Sequence, residues 1–191
     1  MRLFLAAELP AELAREAAAI QRRLRRELSG WRWVRPDGIH LTLRFLDEVD
    51  EERDRRARES WREAAAAGRA FRLEAGRIGQ FPGRGRPRVL WLGVEEREPG
   101  GELAALAGRL EQAARRLGWD AEERSFRPHL TLARADRRGR PCALESIESG
   151  EAGGWVRSLK LIRSRLGAGG ASYTALDSFP LGAEQTEARR D

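Results

Sequence analysis

The tetrapeptide His-Leu-Thr-Leu occurs twice in this chain, at His40-Leu41-Thr42-Leu43 and at His129-Leu130-Thr131-Leu132, and the two copies use up the only histidines present. They lie 89 residues apart (129 − 40). At average residue usage a second histidine is followed by Leu-Thr-Leu by chance about once in two thousand trials. Successive side chains on a strand point to opposite faces, so each copy presents its imidazole and hydroxyl on one face and its two leucines on the other. That pattern requires a sheet with one face in a core and one face open, and the repetition requires two such strands. The chain is thereby constrained to a duplicated, largely antiparallel β framework in which matched strands line a common cleft.

The elements around the two copies echo each other. Arg2 to Ala7 reads as a strand, and Pro10 opens a helix in which Leu13, Ala17, Ile20, Leu24 and Leu28 recur at spacings of three and four until Gly30 stops it. Trp31 to Val34 is extended, Pro36-Asp37-Gly38 is a turn, and Ile39 to Leu46 is the first histidine-bearing strand. In the second half, Val89 to Val94 reads as a central strand, Gly101 to Leu117 as a helix stopped by Gly118, and Phe126 to Arg134 as the second histidine-bearing strand. Between the halves come a helix over Glu51 to Ala67, short strands at Phe71 to Glu74 and Ile78 to Phe81, and an arginine-bearing loop from Pro82 to Arg88. After them come a loop at Arg137 to Arg140 and strands at Trp155 to Arg163 and Ser172 to Phe179. This order predicts an α+β fold: two pseudo-symmetric lobes of mainly antiparallel sheet with flanking helices around a central groove. Residues 1–182 are expected to form one such bilobal domain, and 183–191 a polar, disordered tail.

The formal net charge of +6 favours a polyanionic partner, and all 36 basic residues except Lys160 are arginines, whose planar fork matches phosphate oxygens. Cys142 is the only cysteine, so no internal disulfide can form and a cysteine-based metal cluster lacks ligands. The apolar run Leu3 to Ala7 is interrupted by Glu8 and Pro10, too short for a signal-peptide core or a membrane span. These features lead us to expect a soluble, cytoplasmic monomer with no membrane partner.

Two imidazoles and two hydroxyls around one cleft suit attack on a phosphodiester. Such a reaction needs a base to deprotonate water, an acid to protonate the departing oxygen, and donors for the phosphoryl oxygens. Histidine serves as either acid or base because its ordinary pKa of about 6.5 allows one neutral and one protonated ring near neutral pH. Alternation does not say which of His40 and His129 takes which role. Thr42 and Thr131 donate without adding charge. Arg127 lies two residues before His129 and Arg44 two after Thr42, which on a regular strand places both on the cleft face within reach of phosphate. Of the aromatic residues, Phe45 and Trp33 are expected near the cleft, and the other strand tryptophans are expected to pack in the core. Two histidines with no H-E-x-x-H or C-x-x-C pattern give weak ligand spacing, and no metal is expected.

With these residues in hand, the chain resembles the two-histidine (2H) phosphoesterases, specifically the RNA 2′,3′-cyclic phosphodiesterase branch formerly called 2′-5′ RNA ligases. The likeness rests on the two H-x-[ST]-x motifs, Met1-Arg2-Leu3-Phe4-Leu5-Ala6, Trp33-Val34-Arg35-Pro36, Pro87-Arg88-Val89-Leu90-Trp91-Leu92-Gly93 and Phe126-Arg127-Pro128. The resemblance implies hydrolysis of RNA ends carrying a 2′,3′-cyclic phosphate to 2′-phosphates, without a cofactor. It implies His40 as proton donor, His129 as proton acceptor, and Thr42 and Thr131 as phosphate-binding residues. Alternatives are 2′-5′ ligation in the same groove and noncatalytic binding of RNA ends. A lysyl-adenylate ligase is disfavoured, because the one lysine, Lys160, sits in an apolar strand pattern. The family often has glycine where this chain has Asp47, which is expected to face the turn after the first motif rather than the groove.

Overall fold

In the computed structural model Leu41-Thr42-Leu43, with His40 immediately before them, and His129-Leu130-Thr131-Leu132 lie on two strands, each paired antiparallel with the strand that opens its half. The structure describes residues 1–83, 85–97, 100–136, 152–167 and 170–182, so the 137–140 loop, Cys142 and the 183–191 tail lie outside the described residues. In chain order the elements are β1 (Arg2–Ala7), α1 (Ala11–Glu27), β2 (Trp31–Trp33), a single 3-10 turn (Pro36–Gly38), β3 (Leu41–Glu48), α2 (Glu51–Ala66), β4 (Phe71–Phe81), β5 (Val89–Glu96), α3 (Glu102–Arg116), β6 (His129–Ala135), β7 (Gly153–Val156), β8 (Ser158–Gly167) and β9 (Gly170–Pro180). They build a four-stranded sheet ordered β3-β1-β8-β9 and a five-stranded sheet ordered β2-β6-β5-β4-β7. The class is α+β, as the pattern predicts.

The helices are exchanged between the lobes. α1, from the first half of the chain, packs on β4, β6 and β7 of the second sheet, while α2 and α3 pack on β9 and β3 of the first. The buried stripe of α1, Leu13, Ala17, Ile20 and Leu24, is the one the spacing predicts. α2 starts at Asp50, whose carboxylate accepts from the Arg53 backbone N–H at 2.7 Å, and that bond holds the Asp50 carboxyl below its ordinary pKa. α3 ends where expected: Gly118, at φ 82°, donates to Arg115 and Trp119 donates to Ala114, the paired bonds that close a helix on a left-handed glycine.

Several boundaries differ from the sequence reading: β3 begins at Leu41 and β6 at His129, later than the expected Ile39 and Phe126. Phe71 to Phe81 is one strand, because the irregularity between Ala75 and Ile78 bends the ladder without ending it. The segment expected as one strand from Trp155 to Arg163 is two: β7 pairs with β4 in the second sheet, and after Arg157 the chain crosses to pair with β1 in the first. Among the described residues, no helix is long and apolar enough to cross a membrane.

Candidate active site

Both histidine strands carry a β-bulge at the same place. In the first ladder Thr42 pairs with Ala6 and Arg44 with Leu5, which leaves Leu43 over; in the second, Thr131 pairs with Trp91 and Ala133 with Leu90, which leaves Leu132 over. The fourth residue of each tetrapeptide is therefore the extra one, and it and its successor are both buried: Leu43 with Arg44, and Leu132 with Ala133. The residue after them returns to the open face. It is Phe45 in one lobe and Arg134 in the other, and both are exposed.

This bulge overturns the expectation for Arg44. Its side chain is only 8% exposed and points away from the cleft. There its guanidinium pairs with Glu111 of α3 at 2.7 Å and donates to the backbone oxygens of Phe45 and Asp120. Arg44 is a structural strut between β3 and the α3 layer, not a substrate ligand. Arg44→Ala leaves a half-buried carboxylate without its cation and is expected to cost about 2–3 kcal/mol in urea unfolding, while kcat of the folded enzyme stays within about twofold.

The two histidines are held alike. His40 Nδ1 lies 2.7 Å from the Gly38 carbonyl, and His129 Nδ1 lies 2.7 Å from the Arg127 carbonyl. A carbonyl only accepts, so Nδ1 carries the hydrogen in both rings and each Nε2 is left for the cleft. Each ring is also walled by aromatic neighbours. His40 sits 4.6 Å from the Phe4 ring and 4.8 Å edge-on to Tyr173, while His129 sits 5.2 Å edge-on to Phe81 and 6.4 Å from Trp91. β3 and β6 meet although they belong to different sheets, which brings the two motifs together. Burial lowers the His40 pKa from its ordinary value; the Gly38 bond opposes this, and the positive charges of Arg134 and His129 add to the lowering.

Thr42 and Thr131 are half-buried, and neither hydroxyl takes a partner among the described residues. Phe45 is 49% exposed, with its ring 6.0 Å from Phe4, on the wall that carries His40. Arg127 is exposed but precedes β6, so strand alternation does not orient its side chain; its carbonyl is what touches His129. Trp33 packs against the core instead of the cleft; Trp91 is buried as expected, beneath His129, whereas Trp155, expected in the core, is 46% exposed. Asp47 is exposed at φ 53°, a left-handed conformation that suits glycine and that aspartate tolerates better than most residues.

Sequence reasoning missed Phe4, Tyr173, Phe81 and Arg134. Tyr173 offered one signal, as the chain's only tyrosine. It comes from β9 and packs so closely on Gly38 that an added Cβ would lie 3.1 Å from its ring. Gln21 interrupts the apolar stripe of α1 for a reason that is also structural: its Nε2 donates to the Leu132 carbonyl at 2.8 Å and to that of Val34 at 2.6 Å, tying the helix to the bulge below His129.

The family profile described as LigT like Phosphoesterase matches residues 8–91 and 93–153. An RNA 2′,3′-cyclic phosphodiesterase of Archaeoglobus fulgidus is 34% identical over 186 residues, which cover 94% of this chain and 99% of that protein. A crystal structure of a Thermus thermophilus protein superposes with TM-score 0.83 and 31% identity, covering 96% of this chain and all of that one (100%). The crystal structure of Escherichia coli LigT complexed with 3′-AMP superposes with TM-score 0.76 and 30% identity, covering 94% of this chain and 97% of that one. With two bulged histidine–threonine strands meeting at one cleft and a match that runs nearly end to end, the chain belongs to the LigT-like, two-histidine phosphoesterase family.

Proposed function

We propose that this chain hydrolyses RNA ends bearing a 2′,3′-cyclic phosphate to 2′-phosphomonoesters by acid/base catalysis between His40 and His129. The observation that carries the reading is the twice-built arrangement of a ring pinned through Nδ1, a cleft-facing Nε2 and an uncommitted threonine hydroxyl. Its relatives carry the same activity in their names, and the similar Escherichia coli structure holds a mononucleotide.

In the proposed step His129 Nε2 takes a proton from water as its oxygen attacks phosphorus. The bond from phosphorus to O3′ breaks, and His40 Nε2–H gives its proton to O3′. Thr42 and Thr131 donate to the non-bridging oxygens, where charge builds in the transition state. The Gly38 and Arg127 carbonyls hold both rings with Nδ1–H toward the backbone and Nε2 toward the cleft. Phe45, backed by the buried Phe4, offers an aromatic surface to the terminal base, and Arg127 offers a cation to the phosphate.

The lowered His40 pKa has a definite consequence for an acid. His40 must be protonated to act, so kcat/KM, which reports the free enzyme, falls as pH rises through a point below the ordinary imidazole range. A bound phosphate counters the charge of Arg134 and raises that pKa, so the alkaline limb of kcat is expected at higher pH than that of kcat/KM. Parallel pH profiles check this; coincident alkaline limbs at or above about pH 7 would contradict His40 as the acid. Hydrolysis itself is tested by turnover in ¹⁸O-labelled water. One ¹⁸O in the 2′-phosphate product is expected, and unlabelled product joined to a second RNA strand would identify a ligase instead.

A further inference from the structure

Beyond the C-terminal end of β6 lies an open pocket of about 530 Å³ lined by Arg32, Arg86, Pro87, Arg88, Ala135 and Asp136. Three arginines face one carboxylate there, leaving a net charge of two positives. The pocket is formed by tertiary pairing: Ala135 donates to the Arg88 carbonyl, Asp136 to that of Gly30, and Arg86 to that of Asp136. It also lies at the far end of the strand that begins with His129. β6 runs from His129 to Ala135, and at about 3.3 Å per residue the pocket begins roughly 20 Å from His129.

Arg32 stands directly opposite Arg134 in the β2–β6 ladder. Two like charges across a ladder destabilise it unless an anion lies over them. Neither side chain pairs with an acidic group among the described residues, and the same is true of Arg88. Since the cyclic phosphate forms the 3′ end of the substrate, everything else in the RNA lies 5′ of it, and a second anion site can serve only that upstream strand.

We propose, on the basis of the phosphodiesterase reading above, that Arg32, Arg86 and Arg88 form a subsite for the RNA backbone a few nucleotides 5′ of the cyclic phosphate. The enzyme then selects oligonucleotide ends over mononucleotide 2′,3′-cyclic phosphates. Guanidinium forks bind the phosphates irrespective of sequence, so the subsite confers selectivity for length without selectivity for bases.

The test compares adenosine 2′,3′-cyclic phosphate with an RNA pentanucleotide ending in the same group, for wild type and for Arg32→Gln/Arg88→Gln. Wild type is expected to show kcat/KM at least about tenfold higher on the pentanucleotide at low salt. The double variant is expected to lose that advantage through KM, with unchanged kcat and an unchanged rate on the mononucleotide. Its salt dependence on the pentanucleotide falls by about 0.7 in log–log slope for each phosphate the variant no longer neutralises. Circular dichroism and Tm check that the fold is intact. A double variant that keeps wild-type KM and salt slope overturns the subsite while leaving the phosphodiesterase reading standing, as does equal loss on both substrates. A wild type inactive on both substrates overturns the two together.

Discussion

His129→Ala and His40→Ala each lower kcat on RNA with a 2′,3′-cyclic phosphate by about 10²–10⁴-fold, the range expected when a positioned general base or acid is removed, while KM changes by less than about threefold. The split between the two constants follows from the geometry. In the proposed mechanism the rings move protons through Nε2, whereas Thr42, Thr131 and Arg127 hold the phosphate. Because acid and base act in one step, the double variant is expected to lose scarcely more than either single one. Single-turnover kinetics alongside binding of the uncleaved RNA measures both quantities. Loss of binding in proportion to loss of rate would instead make the histidines ligands of a binding protein.

The second large effect comes from a residue with no side chain. Gly79 lies opposite Trp91 in the β4–β5 ladder, and an added Cβ would fall 2.2 Å from the indole Cζ2 and 2.4 Å from Cη2. That indole is 9% exposed and wedged between Phe81, at 5.0 Å, and His129, at 6.4 Å. Gly79→Ala must therefore shift the ring that packs on His129, the proposed base. Overpacking of this kind costs about 1–3 kcal/mol, and a displacement of roughly 1 Å at the reacting group costs on the order of a hundredfold in rate. We expect a fall of several degrees in Tm and of at least about tenfold in kcat. Gly108→Ala is the control: it lies within α3 with nothing near its added Cβ, and is expected to raise stability by about 0.5–1 kcal/mol without touching kcat.

What the sequence reveals divides along a physical line. Periodicity is a property of the segment itself, so the helices, the strands and the two histidine-bearing motifs are legible from residue spacing, and their repetition points to one cleft. Bulges are properties of a pair. Leu43 and Leu132 are left over only because of how β1 and β5 pair with β3 and β6, and no alternation rule shows it. That single-residue slip is why Arg44 turns inward and Arg134 outward, against the order that alternation predicts. Long-range partners were hidden for the same reason. Tyr173 reaches His40 from the far end of the chain, and Gln21, visible as a polar break in an apolar stripe, finds its acceptor 111 residues away. The crossing at Arg157 leaves no local mark, since β7 and β8 are both extended and only their partners differ.

The most direct test of the central claim is to incubate EDTA-treated protein with an RNA ending in a 2′,3′-cyclic phosphate, together with the His40→Ala and His129→Ala variants, and to map the phosphate in the product. The mechanism predicts a 2′-phosphate formed by wild type despite the chelator, and almost none formed by either variant. A 3′-phosphate product, a rate abolished by EDTA, or full activity in either variant would contradict it.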